Sequence, residues 1–478
     1  MPAIPLLDLG FLETETDQAH MHFGALLLFE KPAGASDHVA GLMASWLQHD
    51  QVQAPFNYVP VRDLESGLLL PRWSARDAVD LGEHVHQLRV TGAGRYEDLL
   101  LLVEDLHGSR LQHDRPLWDI YLIDGLGSAR FAVFAKVHHS IFDGHGGMQL
   151  FERMLSMDRR AAAQTPFWAQ AAASPPEPQQ SLVSRAVDAL GNWQAGAEGF
   201  LRNAVEGNRH VWRWLREPGQ VSPPAFSEPP SILNGTLSAR RRVCHVSLSL
   251  GVLERVGKAL KASVNDVLLG ICGGAVRRYL QERDALPRRS LTALVPVSLR
   301  ENATTSRENA AVPLAGNVLT FVPMSLATDV AEHTERIATI RDGARDAKAR
   351  LAALGEVGAA QYGVLVNALA AATQIFGLPF YLATPANLVV TNLIGPNGPR
   401  YLAGGRLHGI YAHAPMTNGM GLNVAMVSYA GSACIGLTAD PGIVDDLDEL
   451  ASCLHDVADS LVAPDHHATP SSTQALIR

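Results

Sequence analysis

Short runs of alternating apolar and polar residues give way along this chain to longer runs spaced by three and four, so it reads as strands interleaved with helices. Phe131, Val133, Ala135 and Val137 fall on one face of a two-residue repeat and Ala132, Phe134 and Lys136 on the other, which predicts a strand half or wholly inside a sheet. The apolar run Ala25–Phe29, ended by Lys31-Pro32, predicts another buried strand. Further strands are predicted over His84–Val90, Asp119–Gly125, Val243–Leu250, Leu294–Arg300 and Asn387–Ile394, with one more beginning at Ala315. Gly419–Tyr429 and Ser432–Ala439, parted by Ala430-Gly431, predict a hairpin, and Phe56–Trp73 reads as loop with hairpin character. Helical spacing appears at Val39, Leu42, Met43, Trp46 and Leu47 behind a Ser36-Asp37 cap, and at Leu100, Leu101, Val103 and Leu106 within Glu97–His107. Leu253–Ala259, a Ser263-capped helix to Leu280, Val330–Leu354 and a C-terminal helix through Val457 complete the set. Gly270, Gly273, Gly274 and Ala275 weaken the Ser263-capped segment as an isolated helix, so it belongs in a crowded interior.

Composition divides the pattern. A chain of 478 residues is too long for one ordinary core and suggests two domains of similar size. The Pro-, Ala- and Gln-rich stretch 171–180 and the prolines between 218 and 230 bracket a helical segment carrying Trp193, Trp212 and Trp214 among arginines. That segment suits a membrane interface, although a linker helix packed on the core is the plainer reading. The divisions are therefore 1–160, a linker at 161–230, and 231–478. With 47% apolar residues and only 18% charged, the chain has the composition for a large nonpolar cavity or a lipid-facing surface. A net charge of -9 without any basic run excludes nucleic acid as a main partner. Four scattered cysteines without a CxxC pair indicate neither a zinc cluster nor a disulfide framework, and a reducing cytoplasm fits them. The acidic N-terminal stretch does not read as a signal peptide. The uncharged run Val357–Pro399 is broken by Gly377, Pro379 and Pro385, and makes a poor spanning helix. The tail from Ala463 reads as disordered.

The candidate chemistry sits where the strand at 131–137 ends. His138 and His139 follow it directly and must point to opposite sides; Asp143, Gly144, Gly146 and Gly147 come next, and the glycines predict a sharp turn. A neutral imidazole takes a proton from a hydroxyl near neutral pH and returns it to a leaving group, which is general-base chemistry. Among 19 histidines a pair in some strand is unremarkable by itself. No serine or cysteine occupies a nucleophile-elbow context, so a covalent acyl-enzyme is not indicated.

The string His138-His139-x-x-x-Asp143-Gly144 after a strand resembles the signature of the CoA-dependent acyltransferase superfamily, which includes condensation domains and chloramphenicol acetyltransferase. MHFG at Met21, RPLW at Arg115, SVNDVLL at Ser263, VPVSLR at Val295, AGN at Ala315 and VVTNLIGP at Val389 occur in the order seen in the bacterial wax ester synthase/diacylglycerol acyltransferase family. Thr391-Asn392-Leu393-Ile394-Gly395-Pro396 departs from that family's usual Ser-Asn-Val-Pro-Gly-Pro, and the linker has no clear counterpart. The absence of DFGWG separates the chain from the plant branch.

The resemblance implies an α/β (α+β) fold of two chloramphenicol-acetyltransferase-like domains, mixed sheets with flanking helices, and an active site at their interface. It implies O-acyl transfer from acyl-CoA, a substrate rather than a cofactor, to a fatty alcohol or diacylglycerol, with no metal. His139 would be the base, with His138 beside it, Asp143 in the same motif and Asn265 a donor to the oxyanion. Gly144, Pro116, Leu117, Trp118, Asp266 and Asn392 would lie at the substrates, and Asp143 would pair with Arg300. The apolar composition without a spanning helix suggests a cytoplasmic protein attached peripherally to a membrane or lipid-inclusion surface. A condensation-type enzyme using carrier-protein thioesters and a non-catalytic relative are the alternatives.

Overall fold

A computed structural model describes residue 4 and residues 6–35, 37–62, 71–127, 129–170, 228–298, 319–353 and 386–461. In chain order the strands are β1 (His22–Glu30), β2 (Tyr58–Val61), β3 (Arg72–Ala75), β4 (Val85–Arg89), β5 (Trp118–Leu126), β6 (Arg130–His138), β7 (Arg242–Ser249), β8 (Thr292–Ser298), β9 (Leu319–Ser325), β10 (Leu388–Ile394), β11 (Tyr401–Leu402), β12 (Gly405–His413), β13 (Leu422–Tyr429) and β14 (Ser432–Ala439). The helices are α1 (Leu6–Thr14), α2 (His38–Trp46), α3 (Tyr96–Gly108), α4 (Gly144–Met154), α5 (Leu250–Leu260), α6 (Val264–Gln281), α7 (His333–Ala353) and α8 (Leu447–Ser460).

Two six-stranded mixed sheets carry the molecule, in the orders β11-β12-β1-β6-β5-β4 and β7-β14-β13-β10-β8-β9, with β2–β3 as a separate hairpin. The period-two pattern of β6 places Phe131, Val133, Ala135 and Val137 in one core with Trp46, Trp118 and Trp168, while Ala132 and Phe134 join another with Tyr96, Leu99 and Val103 of α3. Both faces of this strand are buried, as its near-continuous apolar sequence requires. The second sheet packs alternate residues of its strands, among them Val390, Val424, Met426, Ile435 and Leu437, against α6, α7 and α8. Gly270, Gly273 and Gly274 of α6 make this packing possible, because a Cβ at each would meet Ile337, the Leu326 carbonyl or the Arg336 guanidinium within 2.7 Å.

Three expectations are corrected. Gly144, Gly146 and Gly147 do not form a sharp turn; they are the first turn of α4, capped by Asp143. Their value is room, since Cβ atoms there would press on Leu393, Phe142 and Phe23 at 3.1–3.2 Å. The second correction concerns 231–478, which is not a separate half: β11 and β12 leave it to complete the first sheet. β12 runs antiparallel to β1 from Gly24↔His413 to Glu30↔Arg406 and covers an edge that would otherwise expose unpaired backbone. Third, the boundary at 160 cuts short the first core, where Phe167 and Trp168 are fully packed. Residues 171–227 of the linker and the stretch 357–385 lie outside the described residues.

Candidate active site

Strand β6 delivers the histidine pair to a tight turn. The His138 amide donates to Leu117 O at 3.0 Å and the His139 amide to Met21 O at 2.8 Å, so the turn is held from β5's entry and from the residue before β1. Ile141 N closes the turn on His138 O at 3.0 Å. As the alternation requires, the two rings diverge. His138 is wholly buried; its Nδ1 accepts from Ser140 N at 3.1 Å and lies 2.7 Å from Ser140 Oγ. Burial pushes its pKa down to about 3 against the opposing pull of Glu15, so this ring is neutral and enclosed at any working pH. His139 is half-buried, stacked on Phe11 of α1 at 4.2 Å between centroids and edge-on to Phe23 at 6.0 Å. Of the two residues, only His139 keeps solvent-accessible surface.

Asp143 is buried and caps α4, its Oδ1 accepting from Gly146 N at 2.8 Å. Its expected partner Arg300 lies outside the described residues. Gly144, at the start of α4, comes against Leu393 of β10, which brings the two sheets together beside the turn.

Other expected site residues divide into those near open surface and those behind it. Pro116, Leu117 and Trp118 are buried. Trp118 Nε1 donates to Phe56 O at 2.8 Å and its ring stacks on Trp168 and His84, so it supports the strand entry from inside the core and offers no surface to a substrate. Asp266 is likewise committed: its carboxylate accepts from Ser263 N at 2.7 Å while its own amide donates to Ser263 Oγ at 3.2 Å, a reciprocal capping box at the start of α6. Asn265 stands half-buried in the same first turn and makes no hydrogen bond to either histidine among the described residues. Asn392, half-buried on β10, keeps its Oδ1 without a hydrogen-bond partner among the described residues.

Phe11 and Glu15 were missed. They belong to an acidic N-terminal stretch with no strong periodicity, and nothing in the sequence ties them to a turn more than a hundred residues later. Glu15 is fully buried and its Oε1 lies 3.7 Å from His138 Nε2.

A two-sheet mixed α/β fold with a HHxxxDG turn at a strand exit defines a two-domain acyltransferase class. The model of the wax ester synthase/diacylglycerol acyltransferase catalytic domain matches residues 5–268, and that of the family's C-terminal domain matches residues 315–461. A probable diacylglycerol O-acyltransferase of Mycobacterium tuberculosis is 34% identical over 454 residues, covering 94% of this chain and 96% of the relative. The O-acyltransferase WSD of Acinetobacter baylyi is 28% identical over 437 residues, 91% of each chain. Among solved structures, the wax ester synthase/diacylglycerol acyltransferase of Marinobacter aquaeolei VT8 superposes with a TM-score of 0.75 at 28% identity, covering 96% of this chain and 98% of that one. A condensation domain of the CDA synthetase shares the fold alone, at a TM-score of 0.58 and 18% identity. The chain belongs to the wax ester synthase/diacylglycerol acyltransferase family and is an acyltransferase.

Proposed function

We propose that this acyltransferase moves a long-chain acyl group from acyl-CoA to the hydroxyl of a fatty alcohol or diacylglycerol, with His139 as general base. The observation that supports the reading is the asymmetry of the pair: His138 is sealed and kept neutral by burial, whereas His139 is only half-buried, between Phe11 and Phe23. His139 takes the hydroxyl proton as the oxygen attacks the thioester carbonyl, forming a tetrahedral oxyanion. Asn265 is the side chain proposed to donate to that oxyanion. Collapse breaks the C–S bond, and His139 returns its proton to the departing CoA sulfur. Asn392 is proposed at the acceptor, its unused carbonyl oxygen available to a hydroxyl.

The lipid substrates favour attachment to a membrane or lipid-inclusion surface from the cytoplasm. No single helix among the described residues is long and apolar enough to cross a membrane. The pair α5–α6 meets the test only together, but it is bent by 100° and α6 is packed inside the second core. Incubation with a long-chain acyl-CoA and either hexadecanol or diacylglycerol should yield free CoA and neutral lipid in equal amounts. CoA release without neutral lipid, or turnover only with a carrier-protein thioester, would replace this reading. Failure to bind liposomes or lipid droplets would remove the surface assignment.

A further inference from the structure

The buried carboxylate beside the histidine pair has no place in the chemistry just described. Glu15, immediately beyond α1, has no exposed side-chain surface. Its Oε1 accepts from Met21 N at 2.9 Å, and its Oε2 accepts from Arg110 Nε at 2.9 Å and from His113 Nε2 at 2.5 Å. Burial alone would raise its pKa, yet the bond from His113 and the fields around it hold it down to about 2. It is therefore a permanent buried anion.

Glu15, His113 and His138 each bring one donor atom within 4.8 Å of the others, the outline of a metal site. The protons argue otherwise. Ser140 N–H donates to His138 Nδ1, so in the neutral ring Nδ1 is the acceptor and Nε2 carries the hydrogen, leaving no lone pair for a cation on the side that faces Glu15. The Arg110 guanidinium already balances the carboxylate.

What the anion does is visible in the chain of backbone bonds. Met21, whose amide Glu15 holds, accepts through its carbonyl from the amide of His139 at 2.8 Å. Four residues before Glu15, Phe11 stacks on the His139 ring with an interplanar angle of 19°. One short segment thus grips His139 twice, through its backbone by way of Met21 and through its ring by way of Phe11. Phe11 is seated in turn on the cluster of Ala19, Met21, Leu237 and Met416.

We propose that Glu15 is a positioning residue for His139, acting with Phe11 to fix the turn and the ring plane of the base. This rests on the reading of His139 as the general base. A misplacement of the base on the order of 1 Å lowers turnover by roughly a hundredfold without changing how substrate binds.

The test uses the full chain with hexadecanoyl-CoA and hexadecanol. Glu15→Gln keeps the shape and an oxygen for Met21 but removes the charge and turns an amide NH₂ toward Arg110 and His113. The expected result is a kcat lower by roughly 10- to 100-fold, with KM for acyl-CoA within about twofold of the parent. Phe11→Ala, on a half-buried helix position, should lower kcat by about tenfold, and Phe11→Tyr, which keeps the stacked ring, should restore it. The Phe11 pair decides the matter if Glu15→Gln does not fold. Parent-like kcat in both Glu15→Gln and Phe11→Ala beside an inactive His139→Ala overturns the positioning role. So does a loss confined to melting temperature, or equal losses in Phe11→Ala and Phe11→Tyr. A near-normal His139→Ala overturns the assignment of the base instead.

Discussion

The two sheets contain one arrangement twice, and only one copy carries histidines at the exit of its second hairpin strand. In the first, β5 and β6 form an antiparallel hairpin, β4 lies parallel to β5, and β1 lies antiparallel to β6. In the second, β13 and β14 form the hairpin, β10 lies parallel to β13, and β7 lies antiparallel to β14. Each second hairpin strand ends in a loop with a buried aspartate and leads to a helix. At the exit of β6 stand His138 and His139, then Asp143 and α4; at the exit of β14 stands Asp440, followed by α8. Both carboxylates serve the backbone. Asp143 caps α4, while Asp440 accepts from Ser238 N at 2.6 Å, Ser238 Oγ at 2.8 Å and Gly442 N at 2.8 Å and faces Arg241 at 3.8 Å. The frame is thus common to both sheets, and what distinguishes the first is an imidazole at the strand exit with aromatic walls beside it.

The sharpest way to break this comparison is at His139. His139→Ala should lower kcat by about 10²–10⁴-fold, read from CoA release, with an unchanged melting curve. His138→Ala should act mainly on stability, because it empties a sealed site and strands the Ser140 amide, a cost of about 1–3 kcal/mol measurable in denaturant. If the two variants lose turnover equally, the asymmetry of the pair is not functional. Next in size is the matching aspartate of the second sheet. Asp440→Ala leaves the Arg241 guanidinium buried without its carboxylate, so a stability loss of roughly 3–5 kcal/mol is expected, with normal turnover per folded molecule.

Where the sheets meet, His22, His107, His245 and His413 are buried together. His245 Nε2 and His413 Nε2 are 3.0 Å apart, and the Tyr96 hydroxyl is 2.5 Å from His245 Nδ1. Burial depresses the pKa of all four, His413 to about 3, and Lys136 and Arg241 add to the effect at His107. Each binds a proton more readily when unfolded, so stability is fully present above about pH 6.5 and falls as the pH drops below it, by up to about 1.4 kcal/mol per pH unit for each group. Melting temperature should therefore decline steeply from pH 7 to pH 5, and His413→Gln should flatten that slope. A flat profile in the parent would show that the seam does not govern acid stability. Asp143→Ala removes the cap of α4, which by itself is worth about 1 kcal/mol. A turnover loss much larger than its stability loss would give Asp143 a role that its counterpart Asp440 lacks.

The strands bounding both hairpins were legible because burial on one or both faces writes itself into alternation, and Gly431 between two alternating runs marked the turn, where Ala430 and Gly431 both adopt positive φ. The capped start of α6 was equally plain at Ser263. By contrast, α4 was hidden because three of its first four residues are glycine; it is set by the Asp143 cap and by packing rather than by propensity. β12 escaped notice because a bulge against β1 between Leu28 and Phe29 breaks its alternation, so that Leu407 and Ile410 share a core three residues apart. At the site, the motif identified the turn but not its supports. Phe11, Glu15, Arg110 and His113 reach the histidines only through tertiary contacts, for which a single sequence carries no period.

The crossing of β12 also bears on the order in which this protein can be made. A growing chain that has passed residue 268 already holds the histidine turn and four of the six strands of its sheet, yet β1 still has one bare edge. That edge waits for residues 405–413, so the first sheet is closed by a contact spanning almost four hundred residues, and loop closure over such a distance is slow. Until it closes, the half that carries the chemistry has an unpaired strand edge, and the last part of the chain supplies the strand that covers it.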